Sequence, residues 1–209
     1  YVCPSYDGLM RWHINWIFWE PNNAIVTSCR DKGFSVHCHN GQALPKFTPM
    51  TRSLEIYHFN PLSSNWVVDF VNFDVHMEAF FSKWYKPLNI SQTANYLIIL
   101  QVSDSNLTGM DDHHFTSLSY LTRLILVNVS VFNIDPLAFS NLIYLSYLSL
   151  AMNPLDMVQN ATFSYLKQLR YLDLSHTSIK YLHTSTFRNN SRLETLILHH
   201  ICLKVVTTS

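Results

Sequence analysis

From residue 97 onward the apolar positions recur with a strict period of 24. Leu97, Leu121, Leu145, Leu169 and Leu193 open five successive units, and three positions later stand Leu100, Leu124, Leu148, Leu172 and Leu196. Two further on come Val102, Leu126, Leu150, Leu174 and Leu198. Successive side chains of a strand point to opposite faces, so each apolar pair lies on one face and the residues between lie on the other. Each unit therefore predicts one short strand with an apolar inner side. Eighteen residues after the first four starts sits Phe115, Phe139, Phe163 or Phe187. Three beyond the first three of these lies Leu118, Leu142 or Leu166, and Asn190 breaks that column. A unit this short cannot enclose a core alone, so the pattern predicts units stacked edge to edge, with parallel strands and continuous apolar columns.

These residues resemble the leucine-rich-repeat family, in its extracellular type, and the irregularity of the units resembles Toll-like receptor ectodomains. The resemblance covers about residues 97 to 206. It implies an α/β-type solenoid with a curved parallel sheet on the concave face and loops and short helical turns on the convex face. The family's asparagine column, eight residues after each start, here reads Ser105, Val129, Asn153, Thr177 and Ile201. Three of these keep a polar side chain for the backbone groups of the turn, whereas Val129 and Ile201 do not.

Upstream, Cys29, Cys38, Leu44, Pro45, Leu54 and Ile56 resemble the cysteine-bearing N-terminal cap of this family. That resemblance implies a Cys29–Cys38 disulfide clipping a hairpin over the first edge of the stack. The expected organisation is a cap over residues 1–50, irregular first repeats over 51–96, and five regular repeats over 97–209, truncated without a C-terminal cap. The cap carries an extra Trp-rich segment in which Trp12, Ile14, Trp16 and Phe18 alternate as on a half-buried strand. The irregular stretch is expected to place Val68, Val71 and Phe73 in the core and to carry an insertion around Trp84 to Pro87. Cys202 lies outside the cap, and its pairing and that of Cys3 stay open, a cysteine beyond Ser209 being one candidate partner of Cys202.

Composition narrows the function. Of the 209 residues 48% are hydrophobic, which excludes a disordered chain, and 14 Lys plus Arg balance 14 Asp plus Glu, so no summed positive field gathers phosphate backbones. Gly is scarce at 4, and no P-loop or dinucleotide fingerprint is present. No apolar run is long enough to cross a bilayer. Sequons at Asn89, Asn106, Asn128, Asn160 and Asn189, with four cysteines and no C-x-x-C, point to the secretory pathway and a disulfide framework.

The candidate chemistry is that of binding. Asp173, Ser175 and His176 supply the residue types of a hydrolase triad, but Asp and Ser on one face of one strand leave no place for His between them. His37 and His39 around Cys38, and the run Asp111, Asp112, His113 and His114, offer metal-ligand types whose adjacency works against convergence on one ion. No catalytic residue, metal site or cofactor is expected. The outward strand residues form a platform in which Arg123, Tyr147 and Tyr171 share one column, joined by Asp173, His176, His199 and His200 as candidate contacts for a ligand or partner. His176 and His200 share a repeat position, which predicts a rim that gains positive charge in acid and suits an anionic ligand such as nucleic acid.

The resemblance implies a non-enzymatic ectodomain that binds a protein ligand or microbial product, with a receptor dimer partner, in innate immune recognition. Its place is the extracellular side of a single-pass membrane protein at the plasma membrane or endosome, or outside the cell as a secreted protein. The alternative is a leucine-rich-repeat adhesion or guidance protein, and a third reading is a secreted binding protein or inhibitor scaffold.

Overall fold

The computed structural model describes the strands Ser28–Asp31, Ser35–His39, Ser53–Tyr57 and Met77–Ser82 and residues 97–107, 110 and 114–204. The nine strands among these residues are β1 (Ser28–Asp31), β2 (Ser35–His39), β3 (Ser53–Tyr57), β4 (Met77–Ser82), β5 (Leu97–Ser103), β6 (Arg123–Val127), β7 (Tyr147–Ser149), β8 (Tyr171–Asp173) and β9 (Thr195–Ile197). They form one sheet in chain order. Pairing is parallel from β2 to β9, and β1 folds back antiparallel on β2. The register steps by one repeat at each strand, as in Leu100 opposite Leu124, Leu124 opposite Leu148, Leu148 opposite Leu172 and Leu172 opposite Leu196.

The same strand register continues into the irregular stretch. Val36, Leu54, Ala79 and Leu100 are successive register partners. Among the described residues the strand of that stretch is β4, and Val68, Val71 and Phe73, expected in the core, lie outside the described residues. The signal was weak because β4 places Ala79 and Phe81 opposite Leu100 and Val102, with a register shift at Met77/Glu78. The tryptophan-rich segment and the Trp84–Pro87 insertion also lie outside the described residues.

The core is built by translation. Leu121, Leu145, Leu169, Leu124, Leu148 and Leu172 are fully buried. Phe115, Phe139, Phe163 and Phe187 stack as a spine with ring centroids 6.2, 6.3 and 5.9 Å apart. Two further columns escaped the sequence reading although they keep the same period. One is Leu107, Val131, Leu155 and Ile179, the other Met110, Ile134 and Val158, and all are buried. The second is less regular in residue type, and the Met110–Ile134 pair forms a parallel bridge on the side of the stack away from the sheet.

Polar devices fit the turns into this stack. Asn153 is wholly buried; its Oδ1 accepts from the backbone N–H of Val129 and Val131, and its Nδ2 donates to the carbonyls of Leu126, Leu150 and Ala151. One asparagine thereby satisfies groups of its own repeat and of the preceding one, which explains why Val129 is tolerated in the column. Thr177 Oγ1 donates to Leu174 O at 2.8 Å, and Ser105 Oγ donates to Ser103 O at 2.7 Å. Asn190, which interrupts the leucine column, is buried and donates to the carbonyls of Phe163 and Leu166 in the repeat before it. The turn after each strand is left-handed, with φ of 47°, 53°, 59°, 53° and 55° at Asp104, Asn128, Met152, His176 and His200. Asp and Asn accept this conformation readily, whereas Met and His hold it at a steric cost of roughly 1 kcal/mol or more each.

Asn153→Ala is expected to lower the unfolding free energy by about 3 kcal/mol, because several buried backbone groups lose their partner at once. Urea denaturation of wild type and variant measures this, and a loss below about 1 kcal/mol would contradict the shared role of the side chain.

Candidate functional site

The register places the outward residues of the strands in ladders across the concave face. Arg123, Tyr147 and Tyr171 are direct neighbours on β6, β7 and β8. The guanidinium of Arg123 lies 4.7 Å from the centre of the Tyr147 ring, and that ring stacks on Tyr171 with centroids 4.2 Å apart and planes within 4°. Two rings facing along the solenoid axis with a cation on top make a rigid, partly exposed stack, since a tyrosine loses little conformational freedom when it is packed. Its donors are the guanidinium and the phenols. Asp173 lies two residues beyond Tyr171 on β8, and its Oδ1 accepts the N–H of Ser175 at 2.9 Å.

Tyr171 is half-buried, as is Tyr147. Burial, then a hydrogen bond with Tyr147, then the negative charge that Tyr147 and Asp173 contribute when ionised, push its phenol up to about 12 from the ordinary 10.0. The phenol therefore stays a neutral donor throughout the physiological range.

Other outward positions differ from the sequence expectation. Ser149, Ala151 and Ser175 are buried rather than exposed, and Ser149 lies between the larger Ile125 and Asp173 of the neighbouring strands. Burial of Ser175 and the use of Asp173 by the backbone keep Asp173, Ser175 and His176 from acting as a relay. At the end of the strands His176, His199 and His200 gather. His176 stacks on His200 with ring centroids 4.3 Å apart, and His199 lies 5.1 Å from His176 and 5.2 Å from His200. His176 and His200 meet because both occupy the left-handed turn of successive repeats. Among the described residues no group of three or more His, Cys, Asp or Glu is arranged to hold a metal ion. His114 packs beside Phe115, with ring centroids 6.2 Å apart, whereas Asp111, Asp112 and His113 lie outside the described residues.

The sequons distribute unevenly. Asn106, Asn160 and Asn189 are exposed, and Asn89 lies outside the described residues. Asn128 is partly buried, and its Nδ2 donates to Asp104 Oδ1 at 2.7 Å. Cys29 and Cys38 are opposite each other in the β1–β2 pair. Cys202 is disulfide-bonded. The partner of Cys202 lies outside the residues whose side chains are described.

Alkaline titration followed by phenolate absorbance is expected to show a last ionisation near pH 12 that is missing in Tyr171→Phe. The raised value adds stability that is present below pH 10 and is lost as pH climbs from about 10 to 12. An unchanged titration curve for the variant would remove Tyr171 from the stack as described.

A family model described as leucine rich repeat matches residues 119–179 and 143–203. No curated protein sequence matches the chain. Among solved structures, the TLR13–ssRNA13 complex aligns with a TM-score of 0.63 at 21% identity, covering 76% of this chain and 23% of that one. Human 5T4, also called Wnt-activated inhibitory factor 1 or trophoblast glycoprotein, aligns with a TM-score of 0.62 at 22% identity, covering 88% of this chain and 74% of that one. The chain thus spans about a quarter of the length of the first of these relatives and three quarters of the second. With the 24-residue columns, the single parallel sheet and these matches in hand, residues 119–203 match the leucine-rich-repeat model, and the fold of the chain is that of a leucine-rich-repeat solenoid similar to a Toll-like receptor ectodomain.

Proposed function

We propose that the chain is an extracellular recognition module that binds a protein or microbial ligand through its concave sheet, in innate recognition of the Toll-like kind. The observation that carries this reading is the Arg123–Tyr147–Tyr171 stack. Arg and Tyr dominate the residues that anchor protein interfaces, and here they are pre-organised in a rigid row. The role is non-enzymatic. The sequons and the Cys202 disulfide agree with an oxidising compartment, and among the described residues no helix is long and apolar enough to cross a membrane. A Cys29–Cys38 bridge belongs to the same proposal: opposite residues of an antiparallel pair lie about 4.5 to 5.5 Å apart, within reach of a disulfide.

The histidine group favours a second ligand class. The three imidazoles gathered on one rim offer stacking faces and ring nitrogens to a nucleic acid, the ligand class named in the TLR13–ssRNA13 complex. An adhesion or guidance role would use the same concave stack toward a cell-surface protein, and human 5T4 is a neighbour of comparable length.

The chain fused to a heterologous membrane span and a Toll/interleukin-receptor domain is expected to drive a reporter when cells meet a panel of microbial proteins, lipopeptides and nucleic acids. Arg123→Glu and Tyr147→Ala should abolish the response at unchanged melting temperature. A silent fusion, together with specific adhesion of chain-coated beads to cells, would transfer the assignment to the adhesion class. For the histidine rim, a single-stranded oligonucleotide should bind, and His176→Ala/His200→Ala should weaken that binding. Unchanged binding excludes the rim.

A further inference from the structure

The edge of the sheet where the strands begin carries a feature that the concave stack does not use. An open cleft of about 730 Å³ runs there across four successive repeats, from Ile98 to Arg170. At about 4.8 Å per strand its length is about 14 Å. Tyr120 and Tyr144 form its wall, 51% and 50% exposed, with rings stacked 5.9 Å apart and planes within 7°. The position 24 residues beyond Tyr144 is Gln168, so the ladder ends at Tyr144 on that side.

The polar groups of this cleft have a particular balance. Thr122 Oγ1 donates to Ile98 O at 3.0 Å, and Ser146 Oγ donates to Thr122 O at 3.1 Å. Each hydroxyl has spent its one proton on the backbone, so its lone pairs are what remain for a ligand. Gln168 accepts from Arg192 through Oε1, which leaves its amide as a donor. Arg170 is ion-paired with Glu194 through one of its five N–H groups, which leaves donors while the charge is balanced. The two phenols both donate and accept. The lining is thus apolar and aromatic along its length, dotted with alternating acceptors and donors, and neutral in sum.

We propose that this cleft is a binding site for a neutral oligosaccharide. A sugar chain presents apolar C–H faces to aromatic surface, and each hydroxyl donates and accepts, which matches lone pairs at Thr122 and Ser146 and N–H groups at Gln168 and Arg170. Arg170, the charged residue of the lining, is already ion-paired with Glu194, so an anionic ligand must compete with that carboxylate for it. A linear chain fits the form of the cleft, which repeats its offering at each strand. The site is separate from the concave stack: Tyr120, Tyr144 and Ser146 lie in or before the turn that precedes each strand, whereas Tyr147 and Tyr171 lie within strands. None of the five sequon asparagines lines it.

The test is fluorescence anisotropy of end-labelled cellohexaose, maltohexaose and N-acetylchitohexaose with the whole chain, and a heparin hexasaccharide as the anionic arm. At least one neutral sugar should bind. Tyr144→Ala should weaken it about five- to tenfold, the loss of one aromatic contact, while Tyr144→Phe retains it. Tyr181→Ala serves as the control, since Tyr181 is exposed but outside the cleft, and it should bind as wild type. Melting temperatures of the exposed variants report whether folding is intact. Failure of all three neutral sugars, binding of heparin alone, or equal affinity of Tyr144→Ala and wild type overturns the proposal. So does sedimentation showing a dimer that Tyr144→Ala dissolves without any sugar binding, which would give this face to a second copy of the chain.

Discussion

Each repeat owns only one slice of its core, and the floor and ceiling of that slice are the repeats on either side. The leucines of β6, β7 and β8 are buried because equivalent leucines of the neighbouring strands cover them. The constraint shows at the far end, where Leu196 in the last described strand is 36% exposed although it stands in the same column as the fully buried Leu172. Everything else in the molecule depends on this in-register stacking, since one slip of the period would break every column at once.

Stacking forces each chain turn to end its strand at the same place, and the backbone meets that demand in the left-handed region without glycine. The cost at Met152, His176 and His200 is offset by the continuing hydrogen-bond ladder, in which the N–H groups of Met152 and His176 reach the carbonyls of Ser175 and His199. Inside the turns a small number of buried amides serve several backbone groups each, which frees other positions of the column for apolar residues such as Val129. The distribution of polar residues in the core is therefore uneven from repeat to repeat while the backbone stays regular.

The same translation that builds the core builds the surfaces. Residues 24 apart become neighbours about one strand spacing apart, so a pair of equal residue types in the sequence becomes a ladder in space. Tyr147 with Tyr171, Tyr120 with Tyr144 and His176 with His200 are all such pairs, and each is stacked. The two tyrosine ladders face different directions because one lies within the strands and the other just ahead of them. A repeat protein thereby presents several separate side-chain ladders from one periodic core, each open to substitutions that leave the core untouched.

The sequence by itself determined the period, the strand positions and the inner face of each regular repeat, because leucine and phenylalanine at fixed spacing have a single arrangement that buries them all. It also put Arg123, Tyr147 and Tyr171 in one column. The tertiary structure alone decided where the columns fade: β4 carries Ala79 and Phe81 at positions held elsewhere by leucine or valine, so its place in the sheet rests on pairing with β3 and β5. It alone decided which outward residues are accessible, for Ser149 and Ser175 are small and buried. The reach of Asn153 into the repeat before it, and the cleft beside Tyr144, likewise exist only once repeats are stacked, because both are made of groups that lie far apart along the chain and meet only across a strand spacing.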